Sequence, residues 1–360
     1  MRWDNLTLSD TSAQDALFGA GDIITRTFDT PEFRGMTFYE VRAHSVLNKV
    51  PGGSRMPFAW TVNPYRGCSH ACVYCFARRT HEYLDLDPGI DFDSKIVVKV
   101  NAPELLRKEL ASARSAGDHI AMGTNVDPYQ RVEGRYRLMP GILEALRDAR
   151  NPFSILTKGT LVLRDLSLLR EAAEMTDVSV NVSVGFVDKT LWRQVEPGTP
   201  APHARLSVCC TLTDAGIGCG VLMAPILPYL TDSSSQLEAT VSAITEAGAR
   251  SVTPLVLHLR PGAREWYLAW LEREHPELVP RYRELYGRGA YAPKVYQRSV
   301  SARVAELARS YGIGAVPAGQ PRRIPVRRAP PREGSTSTAT APTTAALPRS
   351  NEWGEQLTLL

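Results

Sequence analysis

Cys68, Cys72 and Cys75 stand within eight residues of one another in the spacing C-x3-C-x2-C, and the next cysteine along the chain is Cys209. A loop this short can bring three thiolates to three corners of an iron–sulfur cube, which leaves the fourth iron without a protein ligand. Structural metal sites are normally closed by four protein ligands. The spacing therefore predicts a reactive centre with one open coordination position.

Zinc is the alternative occupant of the same three cysteines, with His70 or His81 as a fourth ligand. Zinc sites more often use C-x2-C pairs separated by a longer loop, and no second pair follows here.

The adjacent Cys209 and Cys210 lie on a predicted helix, where neighbouring side chains point about 100° apart, so a shared second cluster is not expected. We therefore interpret the three remaining cysteines as buried small residues: Cys209, Cys210 and Cys219.

The cysteine loop resembles a known family. The pattern C-x3-C-x-aromatic-C, with Tyr74 in the aromatic position, is similar to the signature of the radical S-adenosylmethionine (SAM) enzymes. Residues 63–67, 77–84, 122–130 and 156–159 further resemble the branch related to spore photoproduct lyase. This resemblance implies two cofactors, SAM and a 4Fe-4S cluster on the three cysteines. It also implies a reaction in which SAM is cleaved reductively and hydrogen is abstracted from a substrate.

The resemblance also implies residues that bind SAM. Tyr74 would lie against the adenine, and Lys158 would pair with the carboxylate of SAM. Hydroxyl and amide groups that follow predicted strands would bind the ribose or the amino acid portion, because functional groups of parallel barrels gather at the carboxyl ends of strands. These residues are Thr124, Asn125 and Ser183. A plain turn at residues 124–125 and a core hydroxyl at residue 183 remain the alternatives.

Apolar runs alternate with helical patterns between residues 55 and 262. Strands are predicted at 58–62, 95–100, 120–125, 153–156, 178–184, 221–226 and 252–259. Repeated alternation with apolar strands predicts a parallel sheet that is buried on both faces. About six or seven such units predict an α/β fold, an incomplete TIM-like parallel (β/α)6 barrel, which the resemblance also implies.

Composition divides the chain into five parts. Beyond residue 317 the sequence is rich in Pro, Arg, Ala, Thr and Ser and cannot bury enough apolar surface to fold. We predict an N-terminal arm (1–54), the partial barrel (55–262), a helical C-terminal extension (263–316), a disordered basic linker (317–349) and a linear motif (350–360).

Charge and hydropathy limit the location and the partners. We expect the chain to be cytoplasmic, because it contains neither an apolar run of membrane-spanning length nor the apolar core of a signal peptide. Five arginines lie between Arg322 and Arg332, and subtracting them from the net charge of +4 leaves the remainder at −1. The overall charge is therefore weak support for a nucleic-acid enzyme.

The last residues of the sequence carry a second motif. Gln356, Leu357, Leu359 and Leu360 resemble the short motif by which bacterial replication and repair proteins dock onto the DNA sliding clamp. The glutamine would enter a polar pocket and the leucines an apolar groove, with the linker as a tether. A chance match is the alternative for so short a motif.

These features together predict a radical SAM enzyme, supplied by an external electron donor, that acts on a nucleic-acid lesion or modified base. The alternatives are the same chemistry on a peptide or small metabolite, and a non-catalytic iron–sulfur sensor associated with DNA. Spore photoproduct lyase uses a cysteine as hydrogen donor near the strand that corresponds to residues 120–125, and this chain has none there. We therefore do not expect it to be the lyase itself.

Overall fold

The computed structural model describes residues 23–50, 56–112 and 117–315 of the 360-residue chain. The strands in these ranges are β1 (Ile23–Arg26), β2 (Thr37–Val41), β3 (Leu47–Lys49), β4 (Trp60–Val62), β5 (Tyr65–Arg66), β6 (Lys95–Lys99), β7 (Ile120–Met122), β8 (Phe153–Thr157), β9 (Val178–Ser183), β10 (Cys219–Ile226), β11 (Ser251–Val256) and β12 (Gly314–Ala315). The predicted linker and C-terminal motif lie outside the described residues.

The helices alternate with these strands. They are α1 (Ile90–Ser94), α2 (Ala102–Ala111), α3 (Glu133–Tyr136), α4 (Leu138–Asp148), α5 (Leu166–Met175), α6 (Lys189–Val195), α7 (Pro202–Asp214), α8 (Ser234–Glu246), α9 (Ala263–Glu274), α10 (Val279–Leu285) and α11 (Lys294–Ser310). Proline occupies the first turn of α2 and α7, where its missing N–H costs nothing. Within the described ranges, each helix is too short or too polar to cross a membrane.

The larger sheet confirms the predicted α/β fold. Its strand order is β12-β11-β10-β9-β8-β7-β4-β3, and all neighbouring pairs from β4 to β12 are parallel. Only β3, at one edge, pairs antiparallel with its neighbour. The six strands β4 and β7–β11 correspond to the predicted (β/α)6 unit. In the described residues the two edges do not pair with each other, so the barrel is open.

The prediction for residues 95–100 was wrong in one respect. This segment is the strand β6, but β6 belongs to a separate four-stranded sheet with the order β1-β2-β6-β5. It runs parallel to β2 and antiparallel to β5. An apolar strand such as β6 can be buried in either sheet, and the periodicity of a sequence does not reveal its partner.

Helices cover the outside of the larger sheet. Helix α7 packs on β9 and β10, and α11 packs on β11 and α8, while α2, α4 and α5 contact one another in turn. The apolar side chains of these helices and of both faces of the strands form one large buried cluster. This continuous core fixes the carboxyl ends of the parallel strands relative to one another.

The helices that follow β11 pack against the barrel through buried aromatic residues. Three of their tyrosines are fully buried. The Tyr282 hydroxyl donates to the carbonyl of Pro228 (2.7 Å), and the Tyr286 hydroxyl donates to the carbonyl of Leu257 (2.7 Å). The Tyr267 and Tyr282 hydroxyls lie 3.0 Å apart. These bonds connect α9 and α10 to the segments that follow β10 and β11.

Candidate active site

A single cavity lies where the parallel strands end and the cysteine loop crosses them. Its wall contains all three clustered cysteines and every residue predicted to bind SAM: Cys68, Cys72, Cys75, Tyr74, Thr124, Asn125, Lys158 and Ser183. The cavity is also lined by residues of β10 and of the segment that follows β11, including Leu222, Ala224, Leu257 and His258. The fold therefore brings together residues that are up to 115 positions apart in the predicted set, from Cys68 to Ser183.

Hydrogen bonds to its backbone hold the cysteine loop in place. The Gln130 side chain accepts from the amide of Ser69 (2.8 Å) and donates to the carbonyl of Gly67 (3.0 Å). On the other side, the amide of Gly198 donates to the carbonyl of His70 (3.0 Å). A Cβ atom on Gly198 would lie only 2.1 Å from the Ser69 carbonyl oxygen. Only glycine fits this close approach.

Arg78 also holds the cysteine loop in place, through a bond to the carbonyl of Cys72. Its guanidinium is fully buried and donates to the carbonyl of Cys72 (3.0 Å), to the carbonyl of Gly89 (2.7 Å) and to both carboxylate oxygens of Asp93 (2.9 Å). The guanidinium also lies 4.8 Å from the ring centre of Trp266. Burial raises the pKa of Asp93 to about 6, although Arg78 acts in the opposite direction. Arg78 thus connects the cysteine loop to α1 and α9.

The chemistry of the three thiols fits an iron–sulfur group. All three are free, and burial raises the pKa of each of them above the usual thiol value. A bound metal ion supplies the positive charge that deprotonates such thiols. Three free thiols on one short loop are therefore a donor set that an iron–sulfur cluster can use.

Lys158 and Ser183 form a polar pair at the ends of β8 and β9. The Lys158 ammonium donates to the Ser183 hydroxyl (2.8 Å), which in turn donates to the carbonyl of Ala224 (3.0 Å). The same ammonium lies 5.8 Å from the ring centre of Tyr74. A cation and an aromatic face therefore border the same space, as an anionic and aromatic ligand requires.

Asp127 shapes the strand ends next to this pair. Its carboxylate accepts from the Thr157 hydroxyl (2.6 Å) and from the amide of Lys158 (2.6 Å). It also lies 3.4 Å from a ring nitrogen of His70, whose pKa is lowered by burial. At Gly123 the backbone φ is +83°, and a Cβ atom would lie 1.8 Å from the carbonyl oxygen of Leu156. This glycine lets the chain turn at the end of β7 and place residues 124 and 125 at the cavity.

A buried network, which we name the cavity network, fixes the aromatic residue of the cysteine loop. It consists of Tyr74, Glu196 and Arg205. The Tyr74 hydroxyl donates to one carboxylate oxygen of Glu196, and Arg205 donates to the other at 2.5 Å. Burial alone would raise the pKa of Glu196, but Arg205 and Lys158 outweigh it and lower the pKa. The sequence analysis missed Glu196 and Arg205, because neither belongs to a motif nor lies near the cysteines in sequence.

A second network of the same three residue types lies away from the cavity; we name it the remote network. It consists of Tyr65, Glu133 and Arg164. The Tyr65 hydroxyl donates to Glu133, and Arg164 donates to the other oxygen of the same carboxylate (2.6 Å). Burial raises the pKa of Glu133, against the hydrogen bonds from Tyr65 and Arg164. None of its three residues lines the cavity described above.

The structure corrects one further interpretation. Cys210 is exposed, whereas Cys209 and Cys219 are buried as predicted. Adjacent helix positions face different directions, so one of two neighbouring cysteines can easily point to solvent. Gln130 and Glu133, which follow β7, are fully buried and hydrogen-bonded.

Two further aromatic rings line the cavity. The His258 ring lies 5.6 Å from the ring of Phe76, which directly follows the cysteine loop. Burial and the nearby Arg260 lower the pKa of His258 to about 4, so its imidazole is neutral at pH 7. These two rings therefore give the cavity an uncharged aromatic surface.

Comparison with known proteins places this site in a family. A profile of the radical SAM superfamily matches residues 62–241, half of the chain. The chain therefore belongs to the radical SAM superfamily of enzymes, which use SAM and an iron–sulfur cluster. It is 53% identical over 290 residues to an uncharacterised protein of Mycobacterium tuberculosis, covering 81% of this chain and 85% of that protein. It is also 30% identical over 195 residues to an uncharacterised protein of Methanocaldococcus jannaschii, covering 54% and 69% of the two chains.

Solved structures share the fold. Spore photoproduct lyase complexed with dinucleoside spore photoproduct aligns with a TM-score of 0.58 at 13% identity, over 78% of this chain and 81% of that chain. A mutant of the same lyase with bound AdoMet and dinucleoside spore photoproduct gives a TM-score of 0.57 at 15% identity, over 77% and 80%. The predicted resemblance is thereby confirmed for the superfamily and the fold.

Proposed function

We propose that this radical SAM enzyme holds a 4Fe-4S cluster on Cys68, Cys72 and Cys75 and binds SAM in the adjoining cavity. One observation carries the proposal: the three free thiols and the cation Lys158 line the same cavity at the carboxyl ends of the strands. When bound, the cluster and SAM supply a 5′-deoxyadenosyl radical by one-electron cleavage of the sulfonium.

The residues of the chain have separate roles in this site. Lys158 binds the carboxylate of SAM, since it is a cation in a partly buried position with a hydroxyl beside it. Thr124, Asn125 and Ser183 bind the ribose or amino acid portion. Tyr74 packs against the adenine. The apolar side chains of Leu222, Leu255 and Leu257 keep water away from the reacting atoms.

We further propose that the substrate is a nucleic-acid lesion or modified base, with DNA favoured over RNA. Two observations support this. The fold resembles a lyase whose structures contain a dinucleoside photoproduct. The cavity is also lined by the rings of Phe76 and His258, and aromatic rings are surfaces on which bases stack.

The partners remain proposals. An external one-electron donor must reduce the cluster. Docking to a DNA sliding clamp through Gln356, Leu357, Leu359 and Leu360 would raise the local concentration of the enzyme near DNA. These four residues lie outside the described residues, so the support is the sequence motif alone. Deleting residues 353–360 should abolish binding to purified clamp in a pull-down, and unchanged binding would refute the docking.

The central experiment is anaerobic reconstitution with iron and sulfide, followed by SAM and dithionite. The protein should bind close to four irons and form 5′-deoxyadenosine. Cys72→Ala should lose both the iron and the product. Cys210→Ala is the matched control, because this cysteine is exposed and does not line the cavity, and it should retain both. A zinc-filled loop, or an intact cluster that yields no 5′-deoxyadenosine, would overturn the proposal.

The substrate can be found by isotope transfer. Candidate oligonucleotides, peptides and metabolites are deuterated and incubated with the reconstituted enzyme. Deuterium should appear in 5′-deoxyadenosine only with a nucleic-acid substrate. Transfer from a peptide or metabolite instead would refute the proposed substrate class but leave the radical chemistry intact.

A further inference from the structure

The cavity network is built from groups that are almost entirely shielded from solvent. Tyr74 is 8% exposed, and Glu196 and Arg205 are each 1% exposed. Both carboxylate oxygens of Glu196 are in use: one accepts from the Tyr74 hydroxyl and the other from Arg205. The orientation of the Tyr74 ring is therefore determined by a carboxylate 122 residues away in the chain.

Arg205 connects the cavity network to Ser183 and Lys158, which line the same cavity. Its second terminal nitrogen donates to the carbonyl of Ser183 (2.7 Å). The hydroxyl of Ser183 in turn accepts from Lys158 (2.8 Å). One buried ion pair thus connects the aromatic ring on the cysteine loop with the polar pair at the ends of β8 and β9.

Stability alone does not account for this arrangement. Buried ion pairs add little net stability compared with apolar residues of the same volume, because both charges must leave water. The cysteine loop is already fastened by two backbone bonds, from Val73 to Val195 at the end of α6 and from Gly198, which follows α6, to His70. What the side chains of Glu196 and Arg205 add is a fixed direction for the Tyr74 ring.

We propose that Glu196 and Arg205 are positioning residues that hold the Tyr74 ring at a set distance from Ser183 and Lys158 and thereby determine the affinity for SAM. This inference rests on the function proposed above, since SAM is the ligand that would lie between the ring and the polar pair. Glu196 and Arg205 do not line the cavity, so they act on SAM through their partners.

The test is a double-mutant cycle on SAM binding with reconstituted enzyme. Glutamine has the size of glutamate, but its amide nitrogen cannot accept, so Glu196→Gln cannot keep the bonds that Tyr74 and Arg205 donate to opposite oxygens. Glu196→Gln and Tyr74→Phe should each weaken SAM binding about threefold to tenfold in equilibrium dialysis. The double mutant should bind SAM no more weakly than the single mutant with the lower affinity, because both changes break the same bond.

The remote network supplies matched controls. Tyr65→Phe and Glu133→Gln remove the corresponding bonds elsewhere in the protein and should leave SAM affinity within about twofold of the wild type. A second readout is the change that SAM causes in the electron paramagnetic resonance spectrum of the reduced cluster. Glu196→Gln should keep the full iron content and reach the same spectrum only at a higher SAM concentration.

Three outcomes would overturn the inference: an unchanged SAM affinity in Glu196→Gln, single-mutant effects that multiply in the double mutant, or an equal loss in Glu133→Gln. A wild-type cluster whose spectrum ignores SAM would instead refute the proposed function itself. The two failures are therefore distinguishable within one experiment.

Discussion

The cavity network and the remote network use the same three residue types for different ends. In each, a buried tyrosine and an arginine donate to opposite oxygens of one buried glutamate. In the remote network, Glu133 also accepts from the amides of Leu138 and Met139, so its bonds are spent on joining α3 to α4. In the cavity network the tyrosine lines the cavity.

The charges around the two glutamates differ as well. The pKa of Glu196 is lowered, because the positive charges of Arg205 and Lys158 outweigh the effect of burial. Glu133 has Arg164 as its cation, and its pKa is raised by burial. Arg164 is 22% exposed and shares its charge with Asp165, whereas Arg205 is 1% exposed. The comparison shows that a residue pattern does not define a role; the role follows from what the tyrosine and the cation face.

The largest expected effect is the loss of charge in each network. Glu196→Leu should lower the free energy of unfolding by about 3–5 kcal/mol, because Arg205 is left buried without its carboxylate. Glu133→Leu should cost about 1.5–3 kcal/mol, since Arg164 keeps Asp165 and is partly hydrated. Denaturant unfolding of the cofactor-free proteins measures both. A larger loss for Glu133→Leu would reverse the comparison.

Lys158 is the second cation near Glu196, and its removal should affect SAM binding in the cavity. Lys158→Met should weaken SAM binding about 10-fold to 100-fold, the value of a charge-assisted hydrogen bond. Lys95→Met is the matched control: Lys95 pairs with Asp91 at 2.9 Å and lies outside the cavity, so SAM affinity should stay the same. Equilibrium dialysis distinguishes the two. Equal affinity of the two mutants would exclude Lys158 from the SAM site.

Each network has a nearby glycine, and the two should respond differently to a methyl group. Gly198→Ala should lower stability by about 1–3 kcal/mol and reduce retained iron, because its Cβ would lie 2.1 Å from the Ser69 carbonyl oxygen. Gly134→Ala meets only the Leu161 side chain at 3.7 Å and should change stability by less than about 0.5 kcal/mol. Iron content after reconstitution and denaturant unfolding test both. Full iron retention in Gly198→Ala would show that the loop tolerates displacement.

The smallest effect is a difference in the pH dependence of stability. The pKa of Glu196 is lowered from 4.5, so its contribution is fully present above pH 4.5 and is lost as the pH falls through its folded-state pKa. The pKa of Glu133 is raised from 4.5, so its contribution is fully present below pH 4.5 and is lost as the pH rises. Relative to Glu196→Gln, the wild type should therefore lose stability on acidification, and relative to Glu133→Gln it should gain.

Denaturant unfolding between pH 3 and pH 7 measures these two differences on the cofactor-free chain, since acid destroys iron–sulfur clusters. Equal slopes for the two pairs would mean that Arg205 and Lys158 do not lower the pKa of Glu196.

Much of the fold followed from the sequence because the parallel strands are continuous apolar runs. The segments 153–156, 178–184 and 221–226 became β8, β9 and β10 within a few residues. The prediction that residues 95–100 belong to the barrel was wrong for a physical reason. The strand β6 is equally apolar but pairs with β2 in another sheet. Hydrophobic pattern indicates burial, whereas the choice of partner depends on the rest of the chain.

The site was only partly predictable for a similar reason. Motif spacing identified the cysteines, and position at strand ends identified Lys158 and Ser183, which the structure places at the same cavity. His258, Glu196 and Arg205 carry no local signal. Glu196, for example, meets Tyr74 only when the sheet forms, because the two are 122 residues apart in the sequence.

The sequence by itself determined which thiols can act together, because three cysteines within eight residues stay close to one another whatever surrounds them. The tertiary structure alone decided which of two Tyr–Glu–Arg networks borders the cavity that these thiols line. The reason is that a side chain's partners are set by the packing of the sheet and its helices, and residues 74, 196 and 205 meet only in the folded state.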